Sequence, residues 1–108
     1  MKWNIEVHLK GKEEIDALSL KMRAKLEHIL ALLQDYGPVY VREPYVKHLQ
    51  NKLWEIRLKD KDGIGRVIYV LASKNRIVLL HAFIKKTQRT PAKAIETALK
   101  RMKEVNDE

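Results

Sequence analysis

The chain has 108 residues, enough for one hydrophobic core and too few for two domains of ordinary size, so a single domain over 1–108 is expected. Hydrophobic residues at 45% and charged residues at 33% exclude the disordered and fibrous classes, and the absence of cysteine excludes a disulfide framework, a thiolate zinc site and a cysteine nucleophile. A total of 22 Lys and Arg against 14 Asp and Glu gives a net charge of +8, for which a polyanion is the natural partner, and no apolar run reaches signal-peptide or membrane-span length, which points to the cytoplasm.

Lys2 to Lys10 alternates Trp3, Ile5, Val7 and Leu9 with polar residues, the period-two pattern of a half-buried strand. After Gly11 the spacing changes to threes and fours. Ile15, Leu18, Met22, Leu26, Ile29, Leu30 and Leu33 lay one apolar stripe on a helix, which Ser19 can divide by capping a second start. Gly37 and Pro38 end it. A connecting segment then leads to a short strand around Tyr45 to Leu49.

Leu53 to Lys59 and Arg66 to Ala72 read as a hairpin around Asp60-Lys61-Asp62-Gly63, with Gly63-Ile64-Gly65 as turn material rather than a nucleotide loop. Lys74-Asn75 turns the chain into Arg76 to Ile84, an apolar run dense enough for a central strand. Thr90 as N-cap and Pro91 in the first turn start a last helix, with Ala94, Ile95, Ala98, Leu99, Met102 and Val105 as its apolar stripe. Lys93, Lys100, Arg101 and Lys103 are expected on its wet face. The fold class is therefore α+β, an N-terminal strand and helices packed on a mainly antiparallel sheet with a C-terminal helix.

Strand parity places Arg57 with Leu53, Glu55 and Lys59, and Trp54, Ile56 and Leu58 on the opposite, core face; Trp3 and Trp54 are expected to face inward. Arg66 points with Ile68 and Val70, and Lys85 with His81 and Phe83. Arg57, Arg66 and Lys85 can therefore share a cationic face, or can be solvated charges that keep a sheet soluble. For proton transfer His48, His81 and Glu55 are the candidates. Their plain readings are a surface histidine, a satisfied core histidine and a salt-bridge partner of Arg57. Lys47, Lys52 and Arg89 flank the face and could hold the backbone of a polyanion, or be solvated charge.

The run Leu49-Gln50-Asn51-Lys52-Leu53-Trp54-Glu55-Ile56-Arg57, then Arg66-Val67-Ile68-Tyr69, then His81-Ala82-Phe83-Ile84-Lys85-Lys86-Thr87 leading to Thr90-Pro91, resembles the RelE/ParE toxin superfamily, in particular its HigB-type, phage-derived RelE-like branch. The resemblance spans nearly the whole chain. It implies a microbial-ribonuclease-type fold and the toxin of a type II toxin–antitoxin pair, a metal-independent endoribonuclease that needs no cofactor and cuts messenger RNA in the ribosomal A site. The implied partner is a helix-turn-helix antitoxin that carries the complex to operator DNA. Arg66 then matches the family arginine at the head of its strand, Arg57 a basic position of the preceding strand and Lys85 the cation ending the last one, with Lys86 and Thr87 beside it. Where several relatives have a late tyrosine or histidine, this chain has Lys86-Thr87-Gln88-Arg89. Two other readings stay open, a ParE-like poison of DNA gyrase and a non-catalytic basic binding module.

Overall fold

A computed structural model describes residues 2–85 and 89–105. The elements run β1 (Asn4–Val7), α1 (Leu9–Asp16), α2 (Leu20–Tyr36), β2 (Val46–His48), β3 (Leu53–Asp60), β4 (Gly63–Ala72), β5 (Arg76–Lys85) and α3 (Ala92–Met102). The strands form one sheet of five in the order β1-β5-β4-β3-β2. Only β1 runs parallel to its neighbour, β5. The α+β expectation holds, with the middle of the sheet at β4 rather than β5, and β4 is buried without a break from Ile64 to Val70.

The first strand is shorter than its alternation predicts. His8 ends it by capping α1, its Nδ1 accepting from the Lys10 N–H at 3.2 Å, so Leu9 becomes a helical residue 81% exposed to solvent. Period two continued past the strand because a helix start also tolerates polar residues at alternate positions. The break at Ser19 holds: its hydroxyl accepts from Met22 N–H and donates to Asp60 at the end of β3 at 2.8 Å. Gly37 closes α2 at φ 85°, a conformation glycine adopts without steric cost. The expected strand around Tyr45 to Leu49 shrinks to Val46–His48, pairing with Trp54–Ile56 alone. The Lys74-Asn75 turn has both residues at positive φ, 61° and 56°, as a tight hairpin requires.

Alternation predicts one core face, but both faces of the sheet carry a buried core. Met22, Leu26, Ile29 and Leu33 of α2 pack on Ile56, Leu58, Val67 and Tyr69, the core the sequence predicts. Leu53, Ile68, Val70, Val78 and Leu80 form a second core on the opposite face under Ala94 and Ala98 of α3. Each large aliphatic side chain so buried contributes roughly 1.5–3 kcal/mol. Parity assigned the two faces correctly but could not tell that a helix covers the second one. Trp3 and Trp54 are only partly buried, packed at the border of the first core.

Beyond Leu79 the edge of β5 passes out of reach of β1, and α1 takes its place. A register shift between Ile68 and Tyr69 pairs Ile68 with His81 and Tyr69 with Leu79, leaving Leu80 as the extra residue of a bulge. Gly11 lets α1 approach this point, since a Cβ there would lie 3.0 Å from the Leu80 carbonyl oxygen. Glu14 Oε1 accepts from the Ala82 backbone N–H at 3.0 Å, and Arg101 from α3 forks onto both oxygens of Glu14 at 2.7 and 3.0 Å while also donating to the Leu80 carbonyl. Arg101 is therefore a buried-side tie and not the wet-face residue expected, and it continues the line of Ala94 and Ala98 at helical spacing. The His81 ring joins the cluster, 2.9 Å from Glu14 and stacked on Phe83, as a satisfied histidine. Burial works to raise the Glu14 carboxyl, but donation from Arg101, His81 and Ala82 outweighs it and holds the group below its ordinary value of 4.5.

A carboxyl held low in the folded state adds stability that is present above its unfolded pKa and lost as pH falls through the folded one. In acid titrations followed by circular dichroism, Glu14→Gln should be less stable than the parent at neutral pH, with the gap narrowing below about pH 4.5. Gly11→Ala, which in an open helix stabilises by up to about 1 kcal/mol, should here destabilise by roughly 1–2 kcal/mol in urea melts, because backbone faces the new methyl.

Candidate functional site

Register places Arg57 directly opposite Arg66, and Arg66 opposite Phe83, so the two arginines are neighbours across β3 and β4 on the α3 face. Lys85 pairs with Ile64, two residues along β4 from Arg66 on the same face. The shared face predicted from parity exists.

The exposure of its members differs from expectation. Arg66 is fully buried, Glu55 likewise, and Arg57 keeps 15% of its side chain in solvent while Lys85 is exposed. Two like charges side by side under a helix need a counter-charge, and Glu55 provides it. Its Oε1 accepts from Arg57 Nε at 3.0 Å and its Oε2 from the Thr90 hydroxyl at 2.6 Å. Arg66 Nη1 reaches the Thr90 oxygen at 3.5 Å. Burial pulls the Arg66 guanidinium down from its ordinary value; Glu55 opposes that and Arg57 adds to it. An arginine remains charged under such pressure.

Thr90 is thus not the helix cap. Pro91 occupies the N-cap position, with no side-chain cap bond, and the helix begins at Ala92. The threonine hydroxyl is spent on Glu55 instead, closing the segment before α3 over the arginine pair. This role was invisible to a capping argument, because Thr-Pro at a helix start has the same local signature whether the hydroxyl turns to the helix or away from it.

His48 stands apart from this group. It pairs with Trp54, on the α2 face of the sheet, where its ring lies 4.7 Å from the indole and its Nε2 is 2.9 Å from the Asn51 carbonyl. Lys47 pairs with Glu55 on the arginine side and is exposed. Lys52 is exposed in the β2–β3 turn, next to Leu53, whose partner is Val70, and so at the end of the sheet away from Lys85. Arg89 is exposed just before Thr90, and Lys86 and Thr87 lie outside the described residues.

On its outer side Arg57 lines a cleft of about 670 Å³ between α2 and the edge of β3, shared with Lys25, Lys47 and Lys59. Lys25 Nζ donates to the Lys59 carbonyl at that edge. No pattern along the strands points to this cleft, since it joins two elements far apart in sequence.

The architecture is that of the RelE toxins. A double arginine-to-alanine variant of the E. coli toxin RelE in its free state superposes with a TM-score of 0.65 at 15% identity, over 98% of this chain and all of that one (100%). The archaeal RelE–RelB complex from Pyrococcus horikoshii OT3 contains a chain that superposes with a TM-score of 0.59 at 22% identity, over 82% of this chain and 100% of that one. No curated protein matches the chain by sequence. The family model for the phage derived protein Gp49-like family matches residues 13–103, and the chain belongs to that family.

The buried charge cluster makes a specific demand on stability. Arg66→Ala should destabilise by roughly 3 kcal/mol, by leaving Glu55 buried with one cation fewer, whereas Lys85→Ala, on an exposed side chain, should leave the urea midpoint within roughly 0.5 kcal/mol of the parent. Equal midpoints for the two variants would contradict the burial of Arg66.

Proposed function

We propose that the chain is the toxin of a type II toxin–antitoxin pair and cuts messenger RNA in the ribosomal A site, in the cytoplasm. The observation that carries this reading is the row formed by Arg57 and Arg66, held by one buried carboxylate and continued by Lys85 along the same face. Attack of a ribose 2′-hydroxyl on the neighbouring phosphate builds negative charge on the phosphorane oxygens, and cations fixed in advance stabilise that charge without reorganising.

In this proposal Arg57 and Lys85 touch the phosphate, since their side chains reach solvent, and Arg66 is a positioning residue that shares Glu55 with Arg57. Glu55 orients Arg57 through its Nε, and a guanidinium plane fixed in this way is set to fork onto phosphate oxygens. With both oxygens engaged, Glu55 acts through placement and charge rather than as the proton acceptor. Lys47 and Arg89, with Lys86 and Thr87, would hold neighbouring backbone. His48, on the other face, takes no part. A site with so little equipment for proton transfer depends on a substrate held in line for it, which is what a ribosome supplies.

The partner is an antitoxin with a helix-turn-helix domain, through which the complex would reach operator DNA. The likeness to a chain solved with RelB supports a protein partner for this fold. A net charge of +8 favours an acidic or amphipathic antitoxin segment.

Incubated with programmed ribosomes and a chelator, the purified chain should cut the messenger to leave a 2′,3′-cyclic phosphate or 3′-phosphate upstream and a 5′-hydroxyl downstream. A 2′-deoxy nucleotide at the cut position should stop the reaction, naked RNA should barely react, and Arg57→Ala should lose on the order of 10²–10³ in rate. Growth arrest accompanied by DNA damage and intact messenger would sink this reading in favour of a gyrase poison. Normal growth with the chain expressed alone would leave a binding module.

A further inference from the structure

The cleft beside Arg57 has a composition that the cationic row does not account for. Four cations line it, Lys25 from α2, Lys47 from β2, and Arg57 and Lys59 from β3, against one acid, Glu43. Its apolar wall is Ile29, Pro44 and Tyr45, and Tyr45 is 55% exposed although its ring is large enough to be costly in water. At about 670 Å³ it falls in the range of roughly 300–1,000 Å³ found for small-ligand sites.

Aromatic surface beside clustered lysines fits a molecule with one flat apolar face and one anionic group. An unpaired nucleotide is such a molecule, whereas the bases of a duplex are stacked and hidden. An added peptide strand fits less well, because two of the groups on this edge of β3 are already engaged: Arg57 N–H donates to the Tyr45 carbonyl at 2.9 Å, and the Lys59 carbonyl accepts from Lys25. The ammonium of Lys25, fixed at that carbonyl, still has donors for an anion in the cleft.

We propose that this cleft is a subsite for one nucleotide of single-stranded RNA, with the base against Tyr45 and a backbone phosphate on Lys25 and Lys59. It rests on the reading of the chain as an RNA-cutting protein, because Arg57 belongs both to the cleft and to the cationic row and so joins the two along one strand of RNA. Tyr45 then decides which bases are held next to the cut, through stacking rather than hydrogen bonding.

The test uses the purified chain and a fluorescent 2′-O-methyl oligoribonucleotide, which binds but offers no 2′-hydroxyl for cleavage. By anisotropy, Tyr45→Ala should weaken binding about tenfold and Tyr45→Phe should restore it. Lys25→Glu combined with Lys59→Glu should flatten the slope of log affinity on log salt by roughly 0.7 for each phosphate that the variant no longer holds. Circular dichroism spectra matching the parent show that these exposed changes leave the fold intact. Folded variants that bind the oligonucleotide as the parent does would overturn the proposal, as would a parent that binds duplex RNA equally well. A polyglutamate peptide that binds through Tyr45 and Lys25 where the oligonucleotide does not would assign the cleft to an acidic protein segment and overturn it too. Binding through Tyr45 and Lys25 without any cut messenger on ribosomes would support the subsite while ending the cleavage reading.

Discussion

The Glu14 carboxylate is the point on which the arrangement turns. It lies where β5 leaves β1 behind, and an uncovered strand edge there would expose backbone groups that must find partners. Glu14 meets that demand at the Ala82 N–H, and Arg101, which forks onto it and also donates to the Leu80 carbonyl, ties α3 to the same place. With α3 held there, Thr90, just before it, reaches Glu55. Register sets the position of the charged row, and its cover is tied to an edge-closing interaction at the other side of the sheet.

The charged row is itself a compromise between burial and access to solvent. Two arginines under a helix are costly to desolvate, and a single buried carboxylate offsets that cost only with good geometry on both of its oxygens. Holding the pair this firmly removes conformational freedom from Arg57, the member that reaches solvent. The same firmness withdraws Arg66 from the surface, so cations matched by position in a sequence comparison need not have equal access to a ligand.

Likeness of fold at 15% and 22% identity fixes where strands and helices lie and says nothing about which side chains stand on them. The features that define the site in this chain are local: a carboxylate bonded to Arg57, a threonine over it, and a cleft with an exposed tyrosine beside it. These features, more than the shared architecture, determine what the surface can recognise.

Periodicity alone was enough for the elements and for the sides of the strands, because side chains alternate by geometry whatever surrounds them. The break at Ser19, the stop at Gly37, the Lys74-Asn75 turn and the shared face of Arg57 and Arg66 were legible in the sequence, whereas Gly63-Ile64-Gly65, read there as turn material, belongs to β4 and pairs with Leu58 to Asp60. Coverage of those faces was not legible. Whether Arg66 is wet or buried depends on where α3 lands, and that is set by Glu14 and Arg101, 87 residues apart. The Thr90 hydroxyl had two possible partners, a local helix end and a distant carboxylate, and only the packed chain brings the second within reach. The cleft between α2 and β3 likewise has no trace in the sequence, since its walls meet only once the sheet and helix are stacked. Local geometry repeats along the chain and can be read from it; burial and long-range contact are properties of the whole folded molecule.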